Sequence, residues 1–181
     1  MRRIKLRSGV KLESFSFIIL FCMVITSCGS SKTISNPEDF EVLKNLVNER
    51  EFAIEFQWAQ PLGGSIIDLM TNPNYIRFAG NKVDIFLPYF GVRHRGAGYG
   101  SGGGGIEYEG EITNLNITEN TSKKSIQLSF DAREETEHLS FLITLYENGK
   151  AHASVNSSDR NHISYQGGDI KVKPAAIIEN Y

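Results

Sequence analysis

The sequence predicts a mainly β domain, α+β at the margin, with seven or eight antiparallel strands in a barrel-like or two-layer sheet and one N-terminal helix. Three observations predict this class. One segment has apolar residues at helical spacing, the chain after it alternates apolar with polar residues, and turn signals separate the alternating runs. Because exposed sheet edges invite aggregation, we expect the strands to close into a barrel or a sandwich.

The first residues have the pattern of an export signal, a basic start followed by an apolar run from Phe15 to Ile25. That run is far shorter than the ~20 residues that cross a bilayer as a helix. Residues 25–28 (Ile-Thr-Ser-Cys) resemble the lipobox of bacterial lipoproteins, in which two small residues precede the cysteine that carries the lipid. We therefore expect a signal peptide at residues 1–27 and a lipid on Cys28. A secreted protein that buries Cys28 is the alternative.

Loss of that peptide changes the charge and the thiol content of the chain. The full chain has 19 basic and 21 acidic residues; the peptide takes five basic residues and one acidic residue, which leaves a net charge of about −6. This balance argues against nucleic acid as a partner, since nucleic-acid binding needs a basic surface. Cys28 is then the only cysteine and acylation occupies it, so we expect no disulfide, no metal site and no cofactor.

The chain after the signal peptide divides into a tether and a domain. Residues 28–36 are small and polar, as in a flexible tether, and residues 37–181 are long enough for a single β-rich domain. No acidic run follows Cys28, which favours the periplasmic face of the outer membrane. The expected partners are the membrane, through the lipid, and a small ligand or an envelope protein.

The helix is expected at residues 37–50. Asn36 can cap it, a proline suits its first position, and two acidic residues in the first turn complement the helix dipole. Its apolar residues recur at helical spacing: Phe40, Leu43 and Val47.

The first strands follow the helix directly. One strand is expected to carry four apolar side chains on one face: Phe52, Ile54, Phe56 and Trp58. Gly80-Asn81 then predicts a hairpin with a two-residue turn. The predicted pairs are Phe78 with Val83 and Arg77 with Asp84. Apolar residues meet on one face and opposite charges on the other, and a slip of one residue would destroy both matches.

The later strands show the same alternation. Their apolar members are Ile106, Tyr108 and Ile112, and then Ile126, Leu128 and Phe130. Asn148-Gly149 predicts a second two-residue turn. The predicted pairs are Leu142 with Val155 and Thr144 with Ala153. The first strand of this hairpin is apolar on both faces, so we expect both faces to be covered and the strand to be central in the sheet. Two short strands, at residues 163–165 and 170–172, are expected to close the sheet.

The least regular segment is residues 87–105, a long loop that is dense in glycine. Arg93, His94 and Arg95 place up to three positive charges on it, and Tyr89 and Tyr99 flank them. Arginine suits the recognition of planar carboxylates and phosphates, and glycine permits a loop to close over a ligand. We interpret these five residues as candidate ligand-binding residues. The alternative is a long hairpin loop with a solvated basic tip.

Three functions are compatible with the sequence. The leading interpretation is a membrane-tethered, non-enzymatic module that binds a small apolar or anionic ligand or an envelope protein. The second is a hydrolase that uses His94, with Arg93 or Arg95 stabilising an anion, which requires a carboxylate or a nucleophile within hydrogen-bond reach of His94. The third is a structural accessory in envelope assembly, which a large exposed apolar patch would favour. The sequence assigns no catalytic residue, since its serines lack a nucleophile elbow and its histidines lack metal-ligand spacing.

Three segments together resemble a known pattern: Leu87-Pro88-Tyr89-Phe90-Gly91, Gly104-Gly105-Ile106-Glu107-Tyr108, and Arg160 with Ile163-Ser164-Tyr165 and Gly167. The pattern is similar to that of domain of unknown function 4251, a family of Bacteroidetes-type secreted lipoproteins, over about residues 40–170. The resemblance implies the fold and the export to the envelope, and it implies no activity.

Overall fold

The structure is a computed structural model and describes residues 40–94, 104–134 and 136–172. Cys28 and the rest of residues 1–39, Arg95, Tyr99 and residues 173–181 lie outside the described residues. All the described residues belong to one compact unit of the chain, residues 31–181. No helix among them is long and apolar enough to cross a membrane.

The described part of the chain contains one helix and eleven strands. The helix α1 is Phe40–Glu49. The strands are β1 Glu51–Glu55, β2 Trp58–Pro61, β3 Ile67–Asp68, β4 Tyr75–Ala79, β5 Lys82–Leu87, β6 Ile106–Glu111, β7 Thr113–Asn120, β8 Ser125–Glu134, β9 Glu137–Tyr146, β10 Lys150–Ser157 and β11 Ile163–Val172.

All eleven strands belong to one antiparallel sheet, with the order β6-β5-β4-β1-β11-β10-β9-β8-β7. Two strands lie off this path, because β2 pairs with β11 and β3 pairs with β2. The strands at the two ends of the path, β6 and β7, follow each other in the chain across Ile112, and the sheet is a nearly closed barrel. The predicted class, a mainly β fold with a barrel-like antiparallel sheet, is confirmed. The strand count is higher than the expected seven or eight.

The interior of the barrel is filled by apolar side chains. Phe52 and Phe78 stack with ring centroids 4.7 Å apart, Phe78 meets Phe130 edge-on at 5.7 Å, and Phe130 stacks on Phe141 at 4.9 Å. Phe78 belongs to β4 and Phe130 to β8, which lie near opposite ends of the sheet path, so these two rings meet across the interior. The helix adds its apolar face to the same core, with the predicted positions buried: Phe40, Leu43 and Val47.

The first predicted strand is interrupted, and one of its four residues does not lie on the predicted face. Three members of its predicted face are buried: Phe52, Ile54 and Phe56. At Phe56 the strand breaks, and Asn74 satisfies the backbone there, since its side chain accepts from Phe56 N at 2.7 Å and donates to Phe56 O at 3.0 Å. The break shifts the alternation by one residue. Ala59 is therefore buried and Trp58 points outward, so the prediction that Trp58 lies on the core face was wrong.

The two predicted hairpins have different outcomes. The first is confirmed, with Phe78 opposite Val83 and Arg77 opposite Asp84. In the second, the turn contains three residues, Glu147 to Gly149, because Gly149 adopts a φ of 75° and its N–H bonds to Tyr146 O at 3.0 Å. The predicted register was therefore wrong by one residue. The observed pairs are Leu145 with Ala151, Ile143 with Ala153, and Phe141 with Val155.

The corrected register also corrects the environment of β9. Phe141, Ile143 and Leu145 face the core, whereas Leu142 and Tyr146 point outward and are exposed. The strand has β8 and β10 on its two edges, but its outer face is open, so the prediction that both faces are covered was wrong.

The two short closing strands predicted near the C-terminus are one strand, β11. Its first half pairs with β2 and its second half with β1, while β10 runs along its other edge. Gly167, with a φ of 65°, lies between the two halves and allows the strand to bend without ending.

Candidate functional site

The entering stem of the glycine-rich loop is held against the segment that precedes β11. His94 N donates to Asp159 O at 2.6 Å, and Asn161 N donates to Val92 O at 3.0 Å. Arg93 lies opposite Arg160 in an isolated antiparallel bridge. The segment from Val92 to His94 is thus fixed to the segment from Asp159 to Asn161 by one isolated bridge.

The exiting stem of the loop is held by the Arg160 side chain. Its Nη1 donates to the carbonyl oxygens of Gly104 and Gly105, both at 2.8 Å. The other side of the same guanidinium binds Glu137, with Nε to Oε1 at 2.7 Å and Nη2 to Oε2 at 3.0 Å. Arg160 therefore uses four of its five donors, and both stems of the loop are fixed to the segment around Arg160.

Glu137 is buried, and it is ionised because its neighbours supply donors. Ser157 Oγ donates to Oε1, and the same hydroxyl accepts from the backbone N–H groups of Asp159 and Arg160. Burial alone would raise the pKa of Glu137. The hydrogen bonds from Arg160 and Ser157 and the charges of Arg160 and Arg93 outweigh burial and hold that pKa below its ordinary value.

Tyr89 lies beneath this cluster and is buried. Its hydroxyl is 2.9 Å from Val92 O and 3.0 Å from Asn161 O, and the Arg160 guanidinium lies 5.2 Å from its ring centroid. Burial raises the pKa of this hydroxyl. A Cβ at position 91 would collide with the Tyr89 hydroxyl, so glycine is required at Gly91.

Other residues of the sequence pattern meet at the same place. Tyr165 Oη donates to Pro88 O at 2.8 Å, and burial raises the pKa of Tyr165 above its ordinary range. A Cβ on Gly105 would lie 2.9 Å from Leu87 O. The three segments of the pattern are far apart in the chain, and these contacts bring them together at the base of the loop.

Arg93 is the least engaged charged residue of this cluster. Its Nη2 is 3.4 Å from Glu137 Oε2, a long contact, and its Nε is buried without a hydrogen-bond partner among the described residues. The side chain is 33% exposed, whereas that of Arg160 is 7% exposed. Arg93 thus reaches the surface next to a buried ion pair that Arg160 already satisfies.

His94 is exposed, and its ring contacts an amide. Nε2 lies 2.6 Å from Asn161 Oδ1, and within the described ranges the ring has no carboxylate or hydroxyl partner. An amide cannot accept the proton that a general base must pass on. The described residues also contain no group of three or more His, Cys, Asp or Glu side chains arranged to hold a metal ion.

A second polar cluster lies on the outer face of the barrel. Asp131 accepts from Asn114 Nδ2 at 2.8 Å and from Ser140 Oγ at 2.7 Å, and His138 Nε2 is 3.7 Å away. These two hydrogen bonds, together with the charge of His138, hold the pKa of Asp131 below its ordinary value. The carboxylate is satisfied by its neighbours, which indicates a role in fixing the strands rather than in binding.

The family model for domain of unknown function (DUF4251) matches residues 35–168. The chain belongs to the DUF4251 family. This confirms the family that the sequence pattern resembles. The fold is similar to the crystal structure of a DUF4251 family protein from Bacteroides eggerthii DSM 20697, with a TM-score of 0.57 and 13% sequence identity. The alignment covers 77% of this chain and 91% of that chain. A comparison with the curated proteins gives no match.

The structure brings together three of the five candidate ligand-binding residues. Tyr89, Arg93 and His94 lie within one cluster, and Arg95 and Tyr99 lie outside the described residues. Sequence reasoning missed Glu137, which lies in a run of charged residues that gives no local signal for its burial. Arg160 stood out in the sequence only as part of the family pattern, and its side chain binds a distant carboxylate and the stem of the loop.

Proposed function

We propose that this DUF4251 protein is a lipid-anchored, non-enzymatic binding module of the bacterial cell envelope. Its anchor is Cys28, its location is the periplasmic face of the outer membrane, and Arg93 and His94 receive an anionic group of its ligand. The lipobox at residues 25–28 supports the anchor, and the family to which the chain belongs supports the fold.

The single observation that carries the binding role is the difference between two arginines on one carboxylate. Arg160 uses Glu137 fully, whereas Arg93 has one long contact to it and a buried Nε–H without a partner in the described part of the chain. An unpaired buried donor costs about 1–3 kcal/mol, so a carboxylate or phosphate that draws the Arg93 guanidinium into a two-point contact recovers part of that cost.

Two further observations limit the chemical class of the ligand and the kind of activity. The barrel interior is filled by aromatic side chains, which argues against an apolar ligand held inside the sheet. The amide partner of His94 argues against the hydrolase alternative, because that alternative needs a carboxylate or a nucleophile at His94. An anionic group bound at the base of the loop fits both observations.

The binding role is tested by titrating the mature lipoprotein, in detergent micelles, with inorganic phosphate and with acetate by isothermal titration calorimetry. We expect Arg93→Gln to weaken binding about 10-fold or more, the loss of one charge-assisted contact. The control is Arg133→Gln, which removes an equal charge from an exposed position on β8. Equal affinities for the wild type and the Arg93 variant, or no binding of either anion, contradict the proposal.

The anchor is tested separately by metabolic labelling with palmitate. Cys28→Ala is expected to abolish labelling and to leave the precursor uncleaved, because the lipid is attached to that sulfur and precedes cleavage. Persistent labelling of the variant would refute the assignment of Cys28.

A further inference from the structure

Four large apolar side chains are exposed on the β2–β3 hairpin and the turn that follows it. They are Trp58, Leu62, Ile66 and Met70, and each is between 39% and 74% exposed. We refer to these four residues as the apolar hairpin face. None of them takes part in the cluster around Arg160, so the proposed binding site does not account for them.

Trp58 lies in β2, and the other three side chains lie close to it in the chain, Leu62 and Ile66 in the connection between β2 and β3 and Met70 in the turn after β3. Trp58 pairs with Asp68 and Ala59 pairs with Ile67. Cross-strand partners and alternate residues lie on the same face. Ile66 and Met70 lie two residues before and two residues after Asp68, and Leu62 lies four residues after Trp58. The neighbouring residues Ala59 and Leu69 are buried.

Trp58 is held in place from below. A Cβ on Gly167 would lie 2.6 Å from Cζ3 and 2.7 Å from Cε3 of Trp58, so the indole rests on the backbone of Gly167. The ring therefore has one packed side and one exposed side. A fixed aromatic ring at a surface loses little conformational entropy when its exposed side is covered.

We propose that the apolar hairpin face inserts into the interface of the lipid bilayer and thereby orients the domain on the membrane. This inference rests on the proposed anchor at Cys28. Cys28 precedes Phe40 by twelve residues, so even a fully extended chain holds the domain within about 40 Å of the lipid. At that distance the bilayer is present at a high effective concentration, and a weakly apolar surface is sufficient for contact.

The residue types of the face favour the bilayer interface. Tryptophan prefers the boundary between the acyl chains and the headgroups, and isoleucine, leucine and methionine suit the acyl region. The polar residues on the same side are Gln60 and Asp68, and no lysine or arginine accompanies them among the residues of β2, β3 and their connection. The contact is therefore expected in zwitterionic vesicles and is expected to be insensitive to salt.

Trp58 is the only tryptophan of the chain, so its fluorescence reports on this face without any substitution. The mature lipoprotein is reconstituted into phosphatidylcholine vesicles with or without brominated acyl chains. We expect the Trp58 emission to be quenched by the brominated lipid, and its quenching by aqueous iodide to fall about twofold relative to unlipidated protein that is produced without residues 1–28. Ile66→Ser is expected to reduce the lipid quenching, whereas Leu142→Ser, an exposed leucine on β9, leaves it unchanged.

Vesicle flotation separates the two proposals. Protein that floats with the vesicles but whose Trp58 stays accessible to iodide overturns the insertion and leaves the anchor intact. Protein that does not float overturns both. Protection from iodide without quenching by brominated lipid assigns the face to a protein partner or a second copy and also overturns the insertion.

Discussion

Arg160 and Glu137 form a two-point ion pair in which both side chains are less than 10% exposed. Every other ion pair of the described residues has at least one partner that is substantially exposed. Removal of one member of a buried pair leaves an uncompensated charge, which is far more costly than the loss of a surface pair. The pair therefore determines how strongly the loop stems are attached to the barrel.

Arg160→Ala is expected to destabilise the domain by about 3–5 kcal/mol, because Glu137 remains buried without its main partner. The measurement is chemical denaturation followed by circular dichroism. The matched control is Lys150→Met, which breaks the exposed pair with Asp169 and is expected to cost about 0–1 kcal/mol. Similar losses in the two variants would contradict the structural role of Arg160.

The contribution of Glu137 depends on pH with a defined sign. Its folded-state pKa lies below the ordinary value of 4.5, so ionised Glu137 stabilises the fold above that value, and the stabilisation is lost as the pH falls through the lower folded-state pKa. The difference in unfolding free energy between the wild type and Glu137→Gln is thus expected to be constant near neutral pH and to shrink below about pH 4.5. Asp131 is present in both proteins, so its own pH-dependent contribution to the unfolding free energy cancels in the difference. A difference that grows on acidification would reverse the assigned sign.

The aromatic core is tested by Phe130→Ala. Phe130 stacks on Phe141 and meets Phe78, and it is 2% exposed, so its truncation is expected to cost about 3–5 kcal/mol. Phe90→Ala serves as the control, since Phe90 is exposed and its truncation is expected to have a small effect. Thermal unfolding of both variants measures the difference. An equal shift of the unfolding midpoint temperature in the two variants would mean that the Phe130 ring does not stabilise the core.

Two glycine substitutions distinguish the cost of backbone strain from the cost of displacing the Trp58 ring. Gly80→Ala imposes a side chain on a φ of 59° in open space and is expected to cost about 1 kcal/mol. Gly167→Ala imposes one on a φ of 65° and also displaces the Trp58 ring, so its cost is expected to be larger. Only the second variant is expected to change the Trp58 emission spectrum. An unchanged spectrum in Gly167→Ala would show that the indole does not rest on that glycine.

The residues of each hairpin turn decided whether the register of its strands could be predicted from the sequence. Gly80 takes the first central position of its two-residue turn with a positive φ, as both common hairpin turns of that length require, and the predicted register is confirmed. Asn148-Gly149 fits both a two-residue and a three-residue turn. The wider turn forms because Gly149 takes the positive φ and Asn148 Oδ1 accepts from Lys150 N at 3.1 Å. A single ambiguous turn therefore shifted the predicted pairing by one residue and placed the wrong face of β9 beside Val155, Ala153 and Ala151.

The candidate site was harder to predict than the fold, because its contacts join distant segments. Arg93 and His94 stood out in a glycine-rich loop, but the residues whose backbone holds this segment, Asp159 and Asn161, are more than 60 residues later in the chain. Glu137 belongs to neither segment, and its burial follows from the closure of the barrel. Periodicity reports which face a residue occupies within a strand, and it carries no information on which strands become neighbours.

The position of β1 in the sheet has a consequence for the proposed export. β1 lies between β4 and β11, and Ile54 pairs with Ile170, near the other end of the domain. Pairing across so long a separation carries a large loop-closure cost and is intrinsically slow. If the chain crosses a membrane unfolded and N-terminus first, one edge of β1 stays unpaired until β11 has crossed. In the proposed export, this topology would delay the complete pairing of β1 until translocation is nearly finished.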